Sequence, residues 1–527
     1  MSYNNKNNAY NTISHWQDFK IKIMLEGIIV GIFSGLLIVF YRLALEKAEE
    51  FRNKFIVMNS SNILVDIVWF LLLIIGAIIV GKLVENEPMI SGSGIPQVEA
   101  ILRGRLKMNW LPVIIKKFIG GVISIGAGLS LGREGPSIQL GAAVGQGFSK
   151  IFKRLKVEER YLITSGASAG LSAAFNAPLA GVMFALEEVH KHFSPLVLFS
   201  AMSASLTADV VSRYFFGLSP VFNFQHINLL PLETYGYIII LGIVVGLFGV
   251  IYNYSLMNTL KIYEKQKWLS ARFKPIIPFV LAGILMIFLP VVLGGGHSII
   301  NELISGNFTM KMLLIILFVK FLYSMISFGS GAPGGIFFPL LVLGALTGGI
   351  YGKILVHFFS LNPMYVNNFI ILAMAGYFAA IVRAPITGSI LITEMTGSLT
   401  HLLSLSIVSI VAYIVADLLK SEPIYESLLE RILKGKNKTV EFENDINKVI
   451  LEILVPMDSK IEGKQIKDLE LPEKCLVVAI KKGEKEIIPR GDTVISSGDF
   501  LHILVSESGA AEINECFENN LLLKLNV

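Results

Sequence analysis

The sequence predicts an α-helical polytopic membrane protein with an internal repeat and broken helices, followed by a small soluble α/β domain. Three observations lead there: a strongly apolar composition, apolar runs long enough to cross a bilayer, and two blocks of residues that recur in the second half of the membrane region.

Of 527 residues, 53% are hydrophobic and only 16% charged, where a soluble domain carries about 25% charged. The 47 glycines fit the same class, since glycine is more frequent in membrane helices than in soluble ones. A net charge of +5 is modest and points to no nucleic-acid partner. Part of it can sit in cytoplasmic loops, where Lys and Arg collect. Two cysteines, Cys475 and Cys516, cannot build a disulfide framework or a zinc cluster. Nothing in the sequence points to a cofactor.

The N-terminus is polar and Asn-rich through Asn11, and the first apolar run begins near Leu25. No small-residue cleavage site follows a short apolar core, so a removable signal peptide is not expected. Residues 1–24 are read as a cytosolic segment and Leu25–Leu45 as the first membrane segment. Further runs long enough for about 30 Å of hydrocarbon are Ile63–Val84, Tyr235–Leu256, Ile276–Leu293, Met312–Phe328 and Leu402–Leu419. Shorter ones, broken by Gly and Pro, fall at Ile114–Leu131, Pro136–Phe148, Phe175–Leu186 and Phe337–Ile350. Broken helices at membrane depth are tolerated only against protein or a watery cavity, so they point to a transport site. The membrane domain is placed at 25–433, in halves of 25–220 and 235–433. A basic linker follows at 434–449, then a soluble module at 450–527 whose end is expected to form a strand and an amphipathic helix.

The stretch from Lys117-Phe118 to Gly145 reappears from Lys320-Phe321 to Gly348, at an offset of 203 (320 − 117). A second block, at an offset of 207 (384 − 177), pairs Ala177-Pro178 with Ala384-Pro385, Gly181 with Gly388, and Glu187 with Glu394. Internal duplication with sites at the repeat interface is typical of secondary transporters, often with inverted halves. Inversion is expected here too, although residue order alone does not fix it. Glu187 and Glu394 are equivalent, which suits a shared structural role such as pairing with a helix end. Glu134 and Glu188 instead face Phe337 and Met395. Carboxylates that break the symmetry mark function.

Three Gly-rich turns lead directly into apolar helices: Gly92-Ser93-Gly94-Ile95-Pro96, Gly132-Arg133-Glu134-Gly135-Pro136, and Gly334-Gly335-Ile336-Phe337-Phe338-Pro339. Glycine allows close backbone approach, and proline in the first helical turn loses no needed hydrogen bond. The N–H groups left over at such a helix start, with the helix dipole, make an anion site. An ion bound by partial charges is not held too tightly to leave.

With Phe175-Asn176-Ala177-Pro178-Leu179-Ala180-Gly181 and Pro423-Ile424-Tyr425, these turns resemble those of the CLC family of chloride channels and chloride/proton exchangers. The likeness covers nearly all of Leu25 to Leu433. It implies that the hydroxyls of Ser93 and Tyr425 and the amides of Ile336 and Phe337 hold a central chloride, with Gly94 and Ile95 completing the first turn. It implies that amides around Arg133, Glu134 and Gly135 serve an external site. Glu134 would gate that site, taking the anion's place when ionised and swinging away when protonated. Glu188 matches the family's intracellular proton-transfer glutamate, which favours an exchanger over a passive chloride channel, its nearest rival. Ser93 and Pro136 lean toward chloride over fluoride, and Ser93 over nitrate. The resemblance further implies a homodimer with one pore per subunit, set in lipid in the cell membrane. Lys117 and Arg383 are read as structural cations or as shaping the local field.

Residues from about Leu451 to Ser506 resemble the TrkA-C (RCK-C) module of potassium-conductance regulators. The resemblance rests on Ile461-Glu462-Gly463-Lys464, Leu471-Pro472, Val477–Lys481, Pro489–Val494 and Gly498-Asp499. Such modules usually dimerise and some bind a small regulatory ligand; here the module is expected in the cytoplasm. Arg490-Gly491-Asp492 is read as a turn before a strand. A cation transporter would need converging carboxylates or carbonyls, whereas the turns offer amide and hydroxyl donors. A Ser93-centred intramembrane hydrolase would need a His or Lys base, and no membrane segment offers a suitably placed histidine. The chain is therefore not read as an enzyme.

Overall fold

Glycine and proline set where the apolar runs stop, and the helices follow that punctuation. A computed structural model describes residues 4–58, 63–191, 195–222, 228–266 and 270–436. It also describes 448–506, apart from 458, 470, 472–474 and 484. The chain divides into two compact units, Met1–Leu433 and Lys434–Val527.

In the first half of the larger unit run α1 (Asn4–Met58), α2 (Ile63–Asn86), α3 (Ile95–Leu102) and α4 (Trp110–Gly126), then α5 (Glu134–Ile151), α6 (Lys156–Phe175), α7 (Pro178–Phe184) and α8 (Pro195–Phe216). The second half repeats the order of elements, with an eight-residue helix in third place of each half. It has α9 (Tyr235–Lys265), α10 (Ile276–Phe288), α11 (His297–Ile304) and α12 (Met310–Gly329), then α13 (Phe337–Phe359), α14 (Val366–Val382), α15 (Pro385–Thr396) and α16 (Leu402–Leu418). The last helix, α17 (Ile424–Lys436), carries Tyr425. Among the described residues eight helices are long and apolar enough to cross a membrane, including Lys20–Phe55, Pro195–Phe216 and Pro363–Val382.

Several expected spans change. The run Ile276–Leu293 is interrupted: α10 ends at Phe288 and Pro290–Val292 forms a single 3₁₀ turn, because Pro290 cannot continue the hydrogen-bond ladder. Conversely, Phe337–Ile350 is not broken but belongs to the 23-residue α13. Its glycines serve contact: a Cβ on Gly344 would lie 2.8 Å from the Ala373 carbonyl oxygen of α14. The equivalent Gly141 of α5 packs against the Gly166 backbone of α6, and Gly145 against that of Leu162. Small residues four apart let helix backbones touch in a membrane. α1 runs without a break through residue 25, so its apolar segment begins near Lys20. Helices α6, α8 and α14 are absent from the predicted spans. α6 carries several Ser, Gly and Ala residues and is almost wholly enclosed by protein, so it shows little apolar periodicity.

The two halves interlock through equivalent residues. Gly132 N–H donates to the Gly335 carbonyl at 2.7 Å and Gly335 N–H to that of Gly132 at 2.7 Å. Equivalent residues that pair reciprocally are related by a local two-fold axis, as an inverted repeat requires. Gly92 N–H reaches the Gly331 carbonyl at 3.3 Å, and Gly294 N–H reaches that of Gly128 at 2.8 Å. The expected role of the paired glutamates is seen directly. Glu187 accepts from the N–H groups of Ile386 (3.3 Å) and Thr387 (2.8 Å), at the start of α15. Glu394 accepts from Leu179 (3.1 Å) and Ala180 (2.8 Å), at the start of α7. Each half caps a helix of the other.

The smaller unit is an antiparallel sheet of β1 (Lys448–Leu454), β2 (Cys475–Lys482), β3 (Lys485–Ile487) and β4 (Phe500–Ser506), in the order β1-β4-β2-β3. Leu501, Ile503 and Val505 alternate inward along β4 and meet Ile453, Ile461 and Ile480, the two-residue period of a half-buried strand. Arg490 and Thr493 close the expected turn with reciprocal bonds of 2.8 and 2.9 Å, but Val494 beyond it makes only an isolated bridge to Gln465. The predicted terminal helix and Cys516 lie outside the described residues.

Candidate functional site

Three helix starts converge near the centre of the larger unit. The first ladder bond of α3 runs from Val98 N–H to the Gly94 carbonyl, that of α5 from Ser137 to Arg133, and that of α13 from Leu340 to Ile336. Helix geometry therefore leaves the N–H groups of Ile95, Glu134, Gly135, Phe337 and Phe338 outside the ladders. Gly94 permits the first turn through its left-handed φ of +95°. Gly135 permits close packing: a Cβ there would sit 2.6 Å from the Ser93 hydroxyl oxygen. The Ser93 hydroxyl accepts from Ile95 N–H at 3.4 Å.

Lys117 is the cation beneath this turn, donating to the carbonyls of Ile90 at 2.9 Å and Gly92 at 2.7 Å. Arg383 bonds the carbonyls of Tyr413 (2.8 Å) and Ser421 (2.7 Å). Both are tied to backbone, which matches a structural reading.

Glu134 is 1% exposed. Its carboxylate is bent back over its own N–H and that of Phe338, and Oε2 has no hydrogen-bond partner. Glu188, 3% exposed, stands in a π-helical turn at Ala185–Val189, and its Oε1 is likewise unpartnered. Lys191, Glu99 and Glu426 are the charged groups of other segments that act on it. They form a network with Arg103, in which Glu99 pairs with Arg103 (2.6 Å) and Lys191 (3.1 Å). Lys191 also reaches Glu426 at 3.7 Å.

Tyr425 lies in the electrostatic reach of both Glu188 and Glu134, wholly buried, with its hydroxyl unpartnered. Its ring meets Phe184 at 6.4 Å, and Phe184 meets Phe337 at 6.0 Å. Buried polar groups are seldom left unbonded; here three of them line one region. A hydroxyl that can donate, amides outside their ladders and two symmetry-breaking carboxylates can together bind an anion and carry protons.

Sequence reasoning missed two residues near this region. A cavity of about 400 Å³ opens onto Glu134 and is lined also by Arg52, Arg133 and His297. His297 stacks on Phe338 with ring centres 3.9 Å apart. The signal was present, since Gly294-Gly295-Gly296-His297 repeats the first turn, but without Ser93's hydroxyl it reads as plain loop punctuation.

Fold and site together define a membrane transport protein of two interlocked halves whose helix starts meet at one buried site. The chain belongs to the voltage-gated chloride channel family: residues 75–417 match that family, and residues 450–517 match the TrkA-C domain. It is 34% identical over 424 residues to the H(+)/Cl(−) exchange transporter ClcA of Vibrio cholerae serotype O1 (strain M66-2), covering 79% of this chain and 90% of that protein. Its counterpart in Yersinia pseudotuberculosis serotype IB (strain PB1/+) is 34% identical over 421 residues, covering 78% and 88%. The crystal structure of a slow cyanobacterial Cl−/H+ antiporter superposes with a TM-score of 0.76 at 31% identity, over 79% of this chain and 99% of that one. A eukaryotic CLC transporter shares the fold at a TM-score of 0.67 and 20% identity, over 86% and 80%.

Proposed function

We propose that this protein exchanges chloride for protons across the cell membrane. The observation that carries this reading is the buried, unpartnered Tyr425 hydroxyl, which feels the charge of both Glu188 and Glu134, two carboxylates that each keep an oxygen without a hydrogen-bond partner. Chloride is held by the Ser93 and Tyr425 hydroxyls with the amides of Ile95, Ile336 and Phe337, and next by those of Arg133, Glu134 and Gly135; Gly94 shapes the first turn. Glu134 competes with the anion as a carboxylate and leaves as an acid, so its protonation and anion passage are linked. Glu188 hands protons between Glu134's side of Tyr425 and the charged network of Glu99, Lys191 and Glu426. Glu134 faces the outside, while Glu188 and the TrkA-C module face the cytoplasm. The functional unit is a homodimer with one pathway per subunit, and the module is a seat for a small regulatory ligand.

The test is a proteoliposome assay in which a chloride gradient drives protons uphill. Glu188→Gln is expected to abolish proton movement while chloride still flows. Wild-type protein that passes chloride with no proton movement would instead be a passive channel, and the exchanger reading would fail.

A further inference from the structure

The second half holds a turn that the repeat relates to the Ser93 turn. Gly294 to His297 lies 202 residues after Gly92 to Ile95 (294 − 92). Its backbone repeats the first: φ is +67° at Gly294 and +108° at Gly296, against +62° at Gly92 and +95° at Gly94. Each turn opens an eight-residue helix, α3 or α11. Each is held by a buried lysine; Lys320 donates to the carbonyls of Val292 (2.9 Å) and Gly294 (2.6 Å), as Lys117 does to Ile90 and Gly92. The two-fold relation aims the second turn away from the first, into the cavity before Glu134.

Arg52 of α1 stands at that turn. It is 7% exposed, and its Nε and Nη1 have no hydrogen-bond partner. Nη1 lies 3.2 Å from where a Cβ on Gly294 would be. A buried guanidinium with open donors is strongly unfavourable unless an acceptor comes to it. Beside it, the N–H groups at the start of α11 aim the same partial charge at the same space. The charged groups facing the cavity are Glu46, Glu49 and Arg52 from α1, Arg133 just before α5, Glu134 from α5, and Glu302 from α11. Glu49 reaches the same turn, its Oε1 3.5 Å from that Cβ position on Gly294, so its negative charge opposes an anion there.

We propose that Arg52 and the Gly294–His297 turn hold a small monovalent anion outside Glu134, a waiting position from which it enters when the carboxylate leaves. This rests on the reading of the protein as a chloride transporter. The probe is bromide, soaked into crystals of the full chain and located by anomalous scattering. A peak is expected beside the Arg52 guanidinium, absent in Arg52→Gln. In flux assays Arg52→Gln should raise the half-saturating chloride concentration by about threefold or more, through loss of local anion enrichment. Glu49→Gln, on a half-exposed residue that does not threaten folding, should lower it. No bromide beside Arg52, with half-saturation unchanged in Glu49→Gln, overturns the proposal. Bromide at Arg52 in a protein that moves no protons supports the site while removing the exchange reading.

Discussion

At Lys117 and Lys320, an ammonium buried at 0% exposure ties down two carbonyls of a glycine turn. Removing it costs about 1–3 kcal/mol for each carbonyl left unsatisfied; the Gly92 carbonyl keeps the Gly334 N–H at 3.0 Å, so at Lys117 the Ile90 carbonyl is the one stranded. Lys117→Met is therefore expected to lower the melting temperature in detergent and to weaken anion binding, since the Ser93 turn loses its support. The corresponding change at Lys320 should destabilise at least as much, since it frees the Val292 and Gly294 carbonyls together, while sparing the Ser93 turn. At Glu134, Glu134→Gln keeps the shape and removes the charge and its titration. Chloride flux should persist and lose its dependence on the pH gradient, measured with a pH electrode beside a chloride electrode. In the sequence, Glu134 and Glu188 stand out because their repeat partners are Phe337 and Met395, and Ser93 because its Gly-rich turn resembles that of the CLC family. Arg52 was not legible: in sequence it is one cation among the charges closing α1, and only the fold brings it beside Gly294.

Helices α5 and α6 touch backbone to backbone through Gly141 and Gly166. Gly166→Leu would force a side chain into the Gly141 carbonyl, and overpacking of this kind costs about 1–3 kcal/mol. The variant is expected to lose its monodisperse peak in size-exclusion chromatography. Gly217→Ala is a control against non-specific glycine effects only in space, since a Cβ there meets nothing within 4 Å although φ is +83°. The crossed caps make a second prediction. Glu187→Gln retains one acceptor oxygen for the start of α15, so the loss should fall within the roughly 0.5–2 kcal/mol of a helix cap. Thermal stability should drop while the chloride-to-proton ratio stays the same. At this scale, glycine spacing announced the repeat correctly, yet the same glycines misled the reading of α13. Gly344 and Gly348 are contact surfaces for α14 inside a continuous helix, and sequence alone does not distinguish a contact glycine from a breaker.

Across the whole chain, each unit has its own hydrophobic core. A chain ended after Lys436 is accordingly expected to keep proton-coupled chloride flux, checked in the same vesicles as the full-length protein. The repeat order fixed which pieces correspond, but not how they grip one another, because reciprocal bonds between distant glycines leave no trace in composition. Those bonds bear on how the protein is made. The Ser91 hydroxyl and Gly331 carbonyl that meet at 3.1 Å are 240 residues apart. At about 5–20 residues per second of synthesis, the first-half turns wait on the order of ten to fifty seconds for their partners to leave the ribosome. During that interval their polar backbone must be shielded by water or by the insertion machinery. A nascent chain halted before Gly331 is thus expected to be cleared by membrane quality control rather than to persist as a half-transporter.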